Sequence, residues 1–290
     1  MPERSQRVFH AGRLVSRGDY CDYFETDADG VPCILKVVSH RDDSDLLDIE
    51  AEILRELWVS PVKGAEHFTK YLPRLVAGTQ LSDGRAVNVL ASGHGVFSDF
   101  VSLEEIYQAF PNGLSPRHMV WMANRMFEIL SWLQRNGVVH GGVLPMHIMY
   151  WPDIYSHGGM LWNWCQATRI AKRQKLPVKV AGYEAWYPSG MLGERPPMPA
   201  DDTIMLVRCM IKVLGGDPLT GELPDRAYND EPDKDPKPLF ELLQSVLTKT
   251  GIPRFPNTDD FRREFNRMTK QVYGPKKFIP FTMPAGFRGR

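Results

Sequence analysis

Two histidines in the middle of the chain are the first candidates for chemistry. His140 and His147 lie seven residues apart in a segment of glycine and apolar residues. Two imidazoles could share a metal ion, but zinc sites take three or four protein ligands, and no third ligand has a suitable spacing. The four cysteines, at positions 21, 33, 165 and 209, form no C-x-x-C pair. We therefore expect no metal site, and free thiols of which at least two are buried.

Four segments, one of which contains the two histidines, occur along the chain in a characteristic order. Residues 31–38, V-P-C-I-L-K-V-V, predict a buried strand, and residues 45–57 have the apolar spacing of a helix. The segment 140–149, H-G-G-V-L-P-M-H-I-M, comes later, and L-W-N-W-C-Q-A follows it at 161–167. In this order the segments resemble the lysine strand, the glutamate helix, the H-R-D-L-x-x-x-N loop and the D-F-G segment of protein kinases.

The resemblance implies a kinase fold without its catalytic side chains. In the family, the loop aspartate accepts the proton of the attacking hydroxyl and the loop asparagine helps to hold magnesium. Gly142 and His147 stand at those positions, and Asn163 replaces the metal-binding aspartate. Glycine cannot accept a proton, imidazole is a poor ligand for a hard ion, and an amide brings no charge. We expect no catalytic residue and no metal at these degenerate positions.

The nucleotide landmarks are partly retained. By resemblance, Lys36 is the lysine that reaches the phosphates and Glu50 is its ion-pair partner, with Glu52 as the rival assignment. Gly18 remains from the G-x-G-x-x-G loop. Other positions of that loop carry side chains that hinder or repel a polyphosphate: Ser16, Asp19, Cys21 and Asp22. We expect a vestigial site, in which a partly exposed Lys36–Glu50 pair adds about 0 to 1 kcal/mol of stability.

Positions that pack a kinase together keep suitable residues. The resemblance gives structural roles to Leu54, His140 and Trp164, and it makes Asp202 the residue that ties a buried helix to the loop backbone. That helix is expected to open with an aspartate cap. The family's late arginine is assigned to Arg254. Packing positions stayed apolar while chemical positions changed, which is typical of a pseudokinase.

Small-molecule kinases of the aminoglycoside and choline type offer a second resemblance. Their H-G-D-x-x-x-x-N and I-D-W motifs are similar to His140-Gly141 and to Trp164. The segment around Tyr187-Pro188 and Asp202 resembles the protein-kinase branch instead. The ancestry stays open, but both groups use the same two aspartate positions, so both imply a loss of catalysis.

The resemblance covers roughly residues 9–273 and implies one α+β domain with two lobes. A small N-terminal antiparallel sheet lobe with one helix is expected over about 9–90, and a larger, mainly helical lobe over 91–273. Residues 274–290 form a C-terminal tail.

Turn and cap signals agree with this division. Ser82-Asp83-Gly84 predicts a turn between two strands within 75–90. Ser115-Pro116 predicts the start of a long helix, and Asn136-Gly137 predicts its end.

Bulk composition excludes several classes of protein. Lysine plus arginine equals aspartate plus glutamate, 35 each, so no overall charge favours nucleic acid or membrane. No apolar run approaches the roughly 20 residues that cross a bilayer, and the first residues lack the apolar core of a signal peptide. We expect a cytoplasmic protein that does not enter a membrane.

Two segments are candidate contact surfaces. The run 169–179 lies where a kinase has its activation segment, and its cations could bind an acidic protein partner or RNA, or only be solvated. The tail mixes aromatic, proline and basic residues, which fits either a docking peptide or a segment packed on its own lobe. The candidate partner-binding cations are Arg169, Lys172, Arg173, Lys175 and Lys179.

Three functional hypotheses follow. The favoured one is a kinase-fold protein without phosphotransfer that acts as a scaffold or an allosteric partner of another protein. The alternative is an unconventional phosphotransferase in which Lys36 and Glu50 still anchor a nucleotide. A nucleic-acid-binding module is the third, and only the run 169–179 favours it. No cofactor is expected, although weak, magnesium-independent ATP binding stays open.

Overall fold

The computed structural model describes residues 8–93, 95–152, 157–247 and 255–287. Arg254 lies outside the described residues. The strands are β1 (Leu14–Arg17), β2 (Cys21–Ala28), β3 (Val31–Val38), β4 (Arg74–Gln80), β5 (Ala86–Ala91), β6 (Val101–Ser102), β7 (Val138–Val139), β8 (Ile148–Trp151), β9 (Gly158–Leu161) and β10 (Thr168–Arg169). The α-helices are α1 (Ser44–Trp58), α2 (Ala65–Phe68), α3 (Leu103–Ala109), α4 (Pro116–Arg135), α5 (Pro199–Val213), α6 (Asp225–Tyr228), α7 (Lys237–Ser245) and α8 (Thr258–Tyr273).

The small lobe is a five-stranded antiparallel sheet in the order β1-β2-β3-β5-β4. Strand β3 is central and has the continuous apolar sequence of a buried strand. Its register sets Lys36 opposite Tyr23 on one neighbour and Asn88 on the other. Because paired residues share a face of the sheet, these three polar residues lie in one row.

Helix α1 covers the face of the sheet that carries this row. Its buried positions repeat at helical spacing, and Glu50 is the charged residue among them. Leu54, one turn further on, is completely buried in the main core. The helix therefore delivers one carboxylate to Lys36 while its remaining buried positions pack.

The large lobe is built around α4. Ser115 caps this helix by accepting a hydrogen bond from the Arg117 amide, Pro116 occupies its first turn, and Gly137 follows in a left-handed conformation, all as the sequence predicts. Helices α5 and α8 pack on α4 within one continuous hydrophobic core. Two small sheets, β6-β8-β9 and β7-β10, carry the loops that meet the small lobe.

Helix α5 begins differently from the sequence prediction. It starts at Pro199, and its N-cap is Met198 rather than an aspartate. Asp201 lies inside the first turn, where its carboxylate accepts from the Met198 amide at 2.7 Å and pairs with Arg195. A carboxylate in the first turn also complements the positive end of the helix dipole, so Asp201 stabilises the start of the helix from a position inside it.

The tail residue Phe281 packs on the large lobe. Phe281 is 3 % exposed, and its ring centroid lies 5.1 Å from His118 and 5.9 Å from both Phe110 and Trp121. Of the two interpretations of the tail, this part of it fits the packed segment. The α+β class with a small sheet lobe and a large helical lobe is confirmed.

Candidate functional site

The ammonium of Lys36 lies at the centre of the region between the lobes and is fully buried. Its Nζ donates to Glu50 Oε1 at 2.7 Å, Asn163 Oδ1 at 2.8 Å and Cys165 Sγ at 3.1 Å. A lysine has three N–H donors, so all of them are used. Burial disfavours the charge, but the neighbouring Cys165 and Glu50 raise the pKa of Lys36 well above its ordinary value. Lys36 is a charged group held inside the protein.

Glu50 is the ion-pair partner of Lys36, and both side chains are 0 % exposed. Its Oε1 also accepts from the Trp164 amide at 2.9 Å, and Oε2 accepts from Asn88 Nδ2 at 3.0 Å. Glu52, the rival, lies on the outer face and pairs with Arg169. The sequence predicted a partly exposed pair, and this prediction is wrong, because α1 and β5 exclude solvent from both side chains.

Asn88 is a site residue that the sequence reasoning missed. It is 2 % exposed, and its amide also donates to the Leu47 carbonyl at 2.9 Å. The available signal was a lone asparagine within the apolar run 86–91. A buried amide must find partners, so its position implies a polar neighbour across the sheet.

His147 and Asn163, at the two positions where the resemblance expected metal ligands, bind one another. Asn163 Nδ2 and His147 Nε2 are 2.8 Å apart, and His147 Nδ1 lies 2.8 Å from the Gly142 carbonyl. Burial lowers the pKa of His147 to about 4, so its imidazole is neutral at pH 7. A neutral ring that donates from Nδ1 to the carbonyl must accept at Nε2, which assigns the Asn163 amide as the donor.

These contacts form one continuous chain of hydrogen bonds. It runs from the Gly142 carbonyl through His147 and Asn163 to Lys36 and then to Glu50. Asn163 has a positive φ of 57°, a conformation that asparagine tolerates better than most residues. Its single carbonyl oxygen points at an ammonium, which leaves it badly placed to hold a second cation.

Gln166 fills the space next to Gly142. A Cβ added at Gly142 would overlap Gln166 Oε1. The Gln166 Nε2 donates to the Val178 carbonyl at 3.0 Å and to the Tyr187 hydroxyl at 2.6 Å, which fixes the side chain. The sequence reasoning missed Gln166, because its role depends on a contact between two loops.

The structural residues lie where the resemblance placed them. Asp202 accepts from the amides of His140 at 2.8 Å and Gly141 at 2.9 Å, so α5 holds the loop backbone. The His140 ring meets Trp164 edge-on, with centroids 4.8 Å apart. Burial raises the pKa of Asp202 to about 7 and lowers that of His140 well below its ordinary value. This frame fixes the backbone of the loop.

The loop between β1 and β2 is tied to the segment 169–181. Asp19 Oδ2 accepts from the Ala181 amide at 2.8 Å, and the Gly18 amide donates back to the Cys21 carbonyl at 2.8 Å. Cys21 is buried and packs in the same small hydrophobic cluster as Cys165. Asp19 is also one of the residues that line the cleft between the lobes.

A cleft of about 1010 Å³ lies in front of this chain of hydrogen bonds. Trp162 and Phe97 line it and meet edge-on with their ring centroids 5.0 Å apart, and the ring centroid of Tyr23 lies 6.1 Å from that of Trp162. Lys36 and Glu50 do not line it, whereas His147, Asn163 and Gly18 do. Among the described residues no group of three or more histidine, cysteine or acidic side chains could hold a metal ion.

The basic run is divided by the fold. Arg169 reaches α1, where its guanidinium pairs with Glu52 at 3.0 Å and Glu56 at 2.7 Å. Lys179 pairs with Glu184 at 3.3 Å. Three cations of the run are exposed and show no ion pair with a described residue: Lys172, Arg173 and Lys175.

Comparisons with known proteins identify the fold. No protein-family profile matches the chain, and no curated protein sequence matches it. Among solved structures, a double mutant of the Mycobacterium tuberculosis PknI kinase domain superposes with a TM-score of 0.63 at 14% identity, covering 90% of this chain and 96% of that one. A single mutant of the same domain gives 0.61 at 16% identity, covering 93% and 100%.

No described helix has the combination of length and apolar character that a membrane span requires. The cytoplasmic location expected from the sequence stays a prediction. Identities this low establish architecture alone, and the conclusion they support is that this chain has the protein-kinase fold.

Proposed function

We propose that this protein is a kinase-fold binding protein that transfers no phosphate, as the sequence resemblance implied. The observation that carries the proposal is the chain of hydrogen bonds from Gly142 to Glu50. Phosphoryl transfer depends on positioning and on neutralising charge with a lysine and metal ions. Here the lysine has no free donor, and the amide at the metal position faces that lysine.

Electrostatics add to this argument. A magnesium ion bound at Asn163 would lie next to the Lys36 ammonium, and two cations at short range repel strongly in a buried site. The neutral His147 ring offers only Nε2, which Asn163 already uses. Magnesium binding at Asn163 would therefore require its hydrogen bonds to Lys36 and His147 to break.

The test is a transfer assay on the purified full chain with radiolabelled ATP and magnesium or manganese, together with thermal shift. We expect no label on the protein or on generic substrates, and no metal-dependent rise in melting temperature. Transfer that disappears in both Lys36→Met and Asn163→Ala, with folding checked by circular dichroism, would show that the protein is an enzyme.

The phosphotransferase alternative has one observation in its favour. The Lys36–Glu50 pair is intact, and a large cleft remains beside it. For this function Lys36 would have to leave Asn163 and Cys165 and turn toward the cleft. ATP protection of the wild type that is lost in Lys36→Met, accompanied by transfer, is the result that favours it.

For partner binding, we propose the exposed cations Lys172, Arg173 and Lys175 as the contact for an acidic protein surface. Exposed, unpaired charges keep their attraction for a partner, whereas Arg169 and Lys179 have carboxylates of their own. RNA binding by the same cations is the competing outcome.

A further inference from the structure

The charges that line the cleft are mostly negative. Two arginines, Arg13 and Arg17, face five carboxylates among the described lining residues: Asp19, Glu25, Asp27, Glu104 and Glu105. Arg13 is bound to Glu25 at 2.6 Å, which leaves Arg17 against the other four. A cleft lined by one sign of charge concentrates ligands of the opposite sign, so this one attracts cations.

The walls of the cleft add aromatic faces. Trp162 lies at its centre, with Phe97 inclined to it at 70° and Tyr23 at 47°. Tilted rings form a pocket with several π-faces, and these attract both flat apolar groups and cations.

A buried acceptor supplies a second and independent observation. Gln166 is 1 % exposed and lines the cleft, and its Oε1 has no hydrogen-bond partner within the described part of the chain. The bonds of Nε2 to Val178 and Tyr187 fix the amide so that the oxygen, not the nitrogen, is left over. An unpaired buried acceptor is unfavourable, and a ligand or water molecule with an N–H or O–H donor would satisfy it.

We propose that the cleft binds a small organic cation, namely a protonated amine that carries an aromatic or other flat apolar group. The carboxylates attract its charge, the rings of Trp162, Phe97 and Tyr23 pack against its apolar part, and Gln166 Oε1 accepts from its ammonium. The proposal rests on the proposed function only in that the cleft holds no nucleotide. The volume of about 1010 Å³ suits a ligand of drug-like size.

The experiment uses three probes that share one naphthalene ring system and differ in charge: the cation 1-naphthylmethylamine, the neutral alcohol 1-naphthylmethanol and the carboxylate anion 1-naphthaleneacetate. Each is titrated calorimetrically into the purified full chain at low and at physiological salt. We expect the amine to bind at least tenfold more tightly than the alcohol, the acetate to show no binding, and the advantage of the amine to shrink as salt rises.

Variants locate the site. Gln166→Met removes the acceptor and is expected to reduce the preference for the amine over the alcohol at least threefold. Trp162→Leu is expected to weaken both probes. Glu241→Gln, on the outer face of α7 away from the cleft, is the control and should change neither affinity. Melting curves confirm that each variant is folded.

Equal affinity for the amine and the alcohol, or tighter binding of the acetate, would overturn the inference. So would an amine preference that neither cleft variant changes. Titration with ATP separates this result from the proposed function. Phosphate transfer from ATP would overturn the proposed function, whether or not the amine binds. If there is neither phosphate transfer nor a preference for the amine, only the proposed cation site is overturned.

Discussion

Gly142 and Gln166 are sterically complementary, since the amide oxygen of Gln166 occupies the space that any side chain at position 142 would need. Gly142 stands where a kinase carries its catalytic aspartate. Gln166 is held in that space by two hydrogen bonds, to Val178 and Tyr187. The absence of a side chain at position 142 is therefore built into the packing of the loop, and introducing an aspartate there alone would disturb the site.

This relationship predicts a strong coupling between the two positions. Gly142→Ala is expected to destabilise the protein by about 1 to 3 kcal/mol through overpacking, and to cost much less in a Gln166→Ala background. Urea denaturation of the four proteins in the cycle measures the coupling. Gly137→Ala is the control, because its cost arises from a positive φ with no nearby atoms and Gln166 cannot relieve it. Additive costs at 142 and 166 would refute the steric explanation.

The Lys36–Glu50 pair should matter far more for stability than an exposed pair. Lys36→Met is expected to cost about 3 to 5 kcal/mol, because it leaves a buried carboxylate without its counter-ion. The double variant Lys36→Met/Glu50→Gln should recover part of this loss, since a neutral amide oxygen can still accept from the Trp164 amide. Lys237→Met, in an exposed pair with Glu241, should cost under about 0.5 kcal/mol. A loss below 1 kcal/mol for Lys36→Met would mean that the pair is not buried in solution.

Acid should destabilise the fold through His147. Burial lowers its pKa to about 4 from the ordinary 6.5, so in that window the unfolded chain binds a proton that the folded chain does not. Stability contributed by the neutral ring is present above pH 6.5 and is lost as the pH falls toward 4. Between pH 7 and pH 5, the wild type should lose about 2 kcal/mol more than His147→Asn. Parallel pH profiles for the two proteins would exclude a buried neutral imidazole.

The tail residue Phe281 should be part of the folded domain. Phe281→Ala is expected to destabilise the protein by about 3 kcal/mol, because a buried ring is removed from between Phe110, His118 and Trp121. Phe278 is 50% exposed, so Phe278→Ala is the matched control and should cost under about 1 kcal/mol. If the two variants melt alike, the tail is not docked as the structure shows it.

The exposed cations make a prediction about charge recognition. Changing Lys172, Arg173 and Lys175 together to serine should weaken binding to poly-glutamate and flatten its dependence on salt, because surface charges act over only about 8 to 10 Å at physiological ionic strength. Arg169→Ser is the control and should leave poly-glutamate binding nearly unchanged. Binding of poly-uridine in preference to poly-glutamate would favour the nucleic-acid hypothesis.

The sequence by itself indicated the kinase-like architecture and the residue types at the positions where the resemblance expects catalytic groups. The lysine strand, the glutamate helix and the histidine loop each have a local pattern, because strand and helix periodicities depend on near neighbours in the chain. The resemblance to protein kinases then implied the pairing of Lys36 with Glu50 and the contact of Asp202 with the loop backbone. The absence of a charged side chain at Gly142 and Asn163 is likewise visible in the residue types alone.

Only the tertiary structure decided how those residues are used. Burial of the Lys36–Glu50 pair depends on α1, β5 and Asn88 closing together, and the sequence had suggested a partly exposed pair. Gln166 contacts Gly142, and Arg169 of the basic run pairs with carboxylates on α1. Both contacts are between segments that are distant in the sequence, and the periodicity of each segment gives no information about the other. Contacts between loops distant in sequence depend on side-chain volume and donor geometry in three dimensions, and no local pattern encodes them.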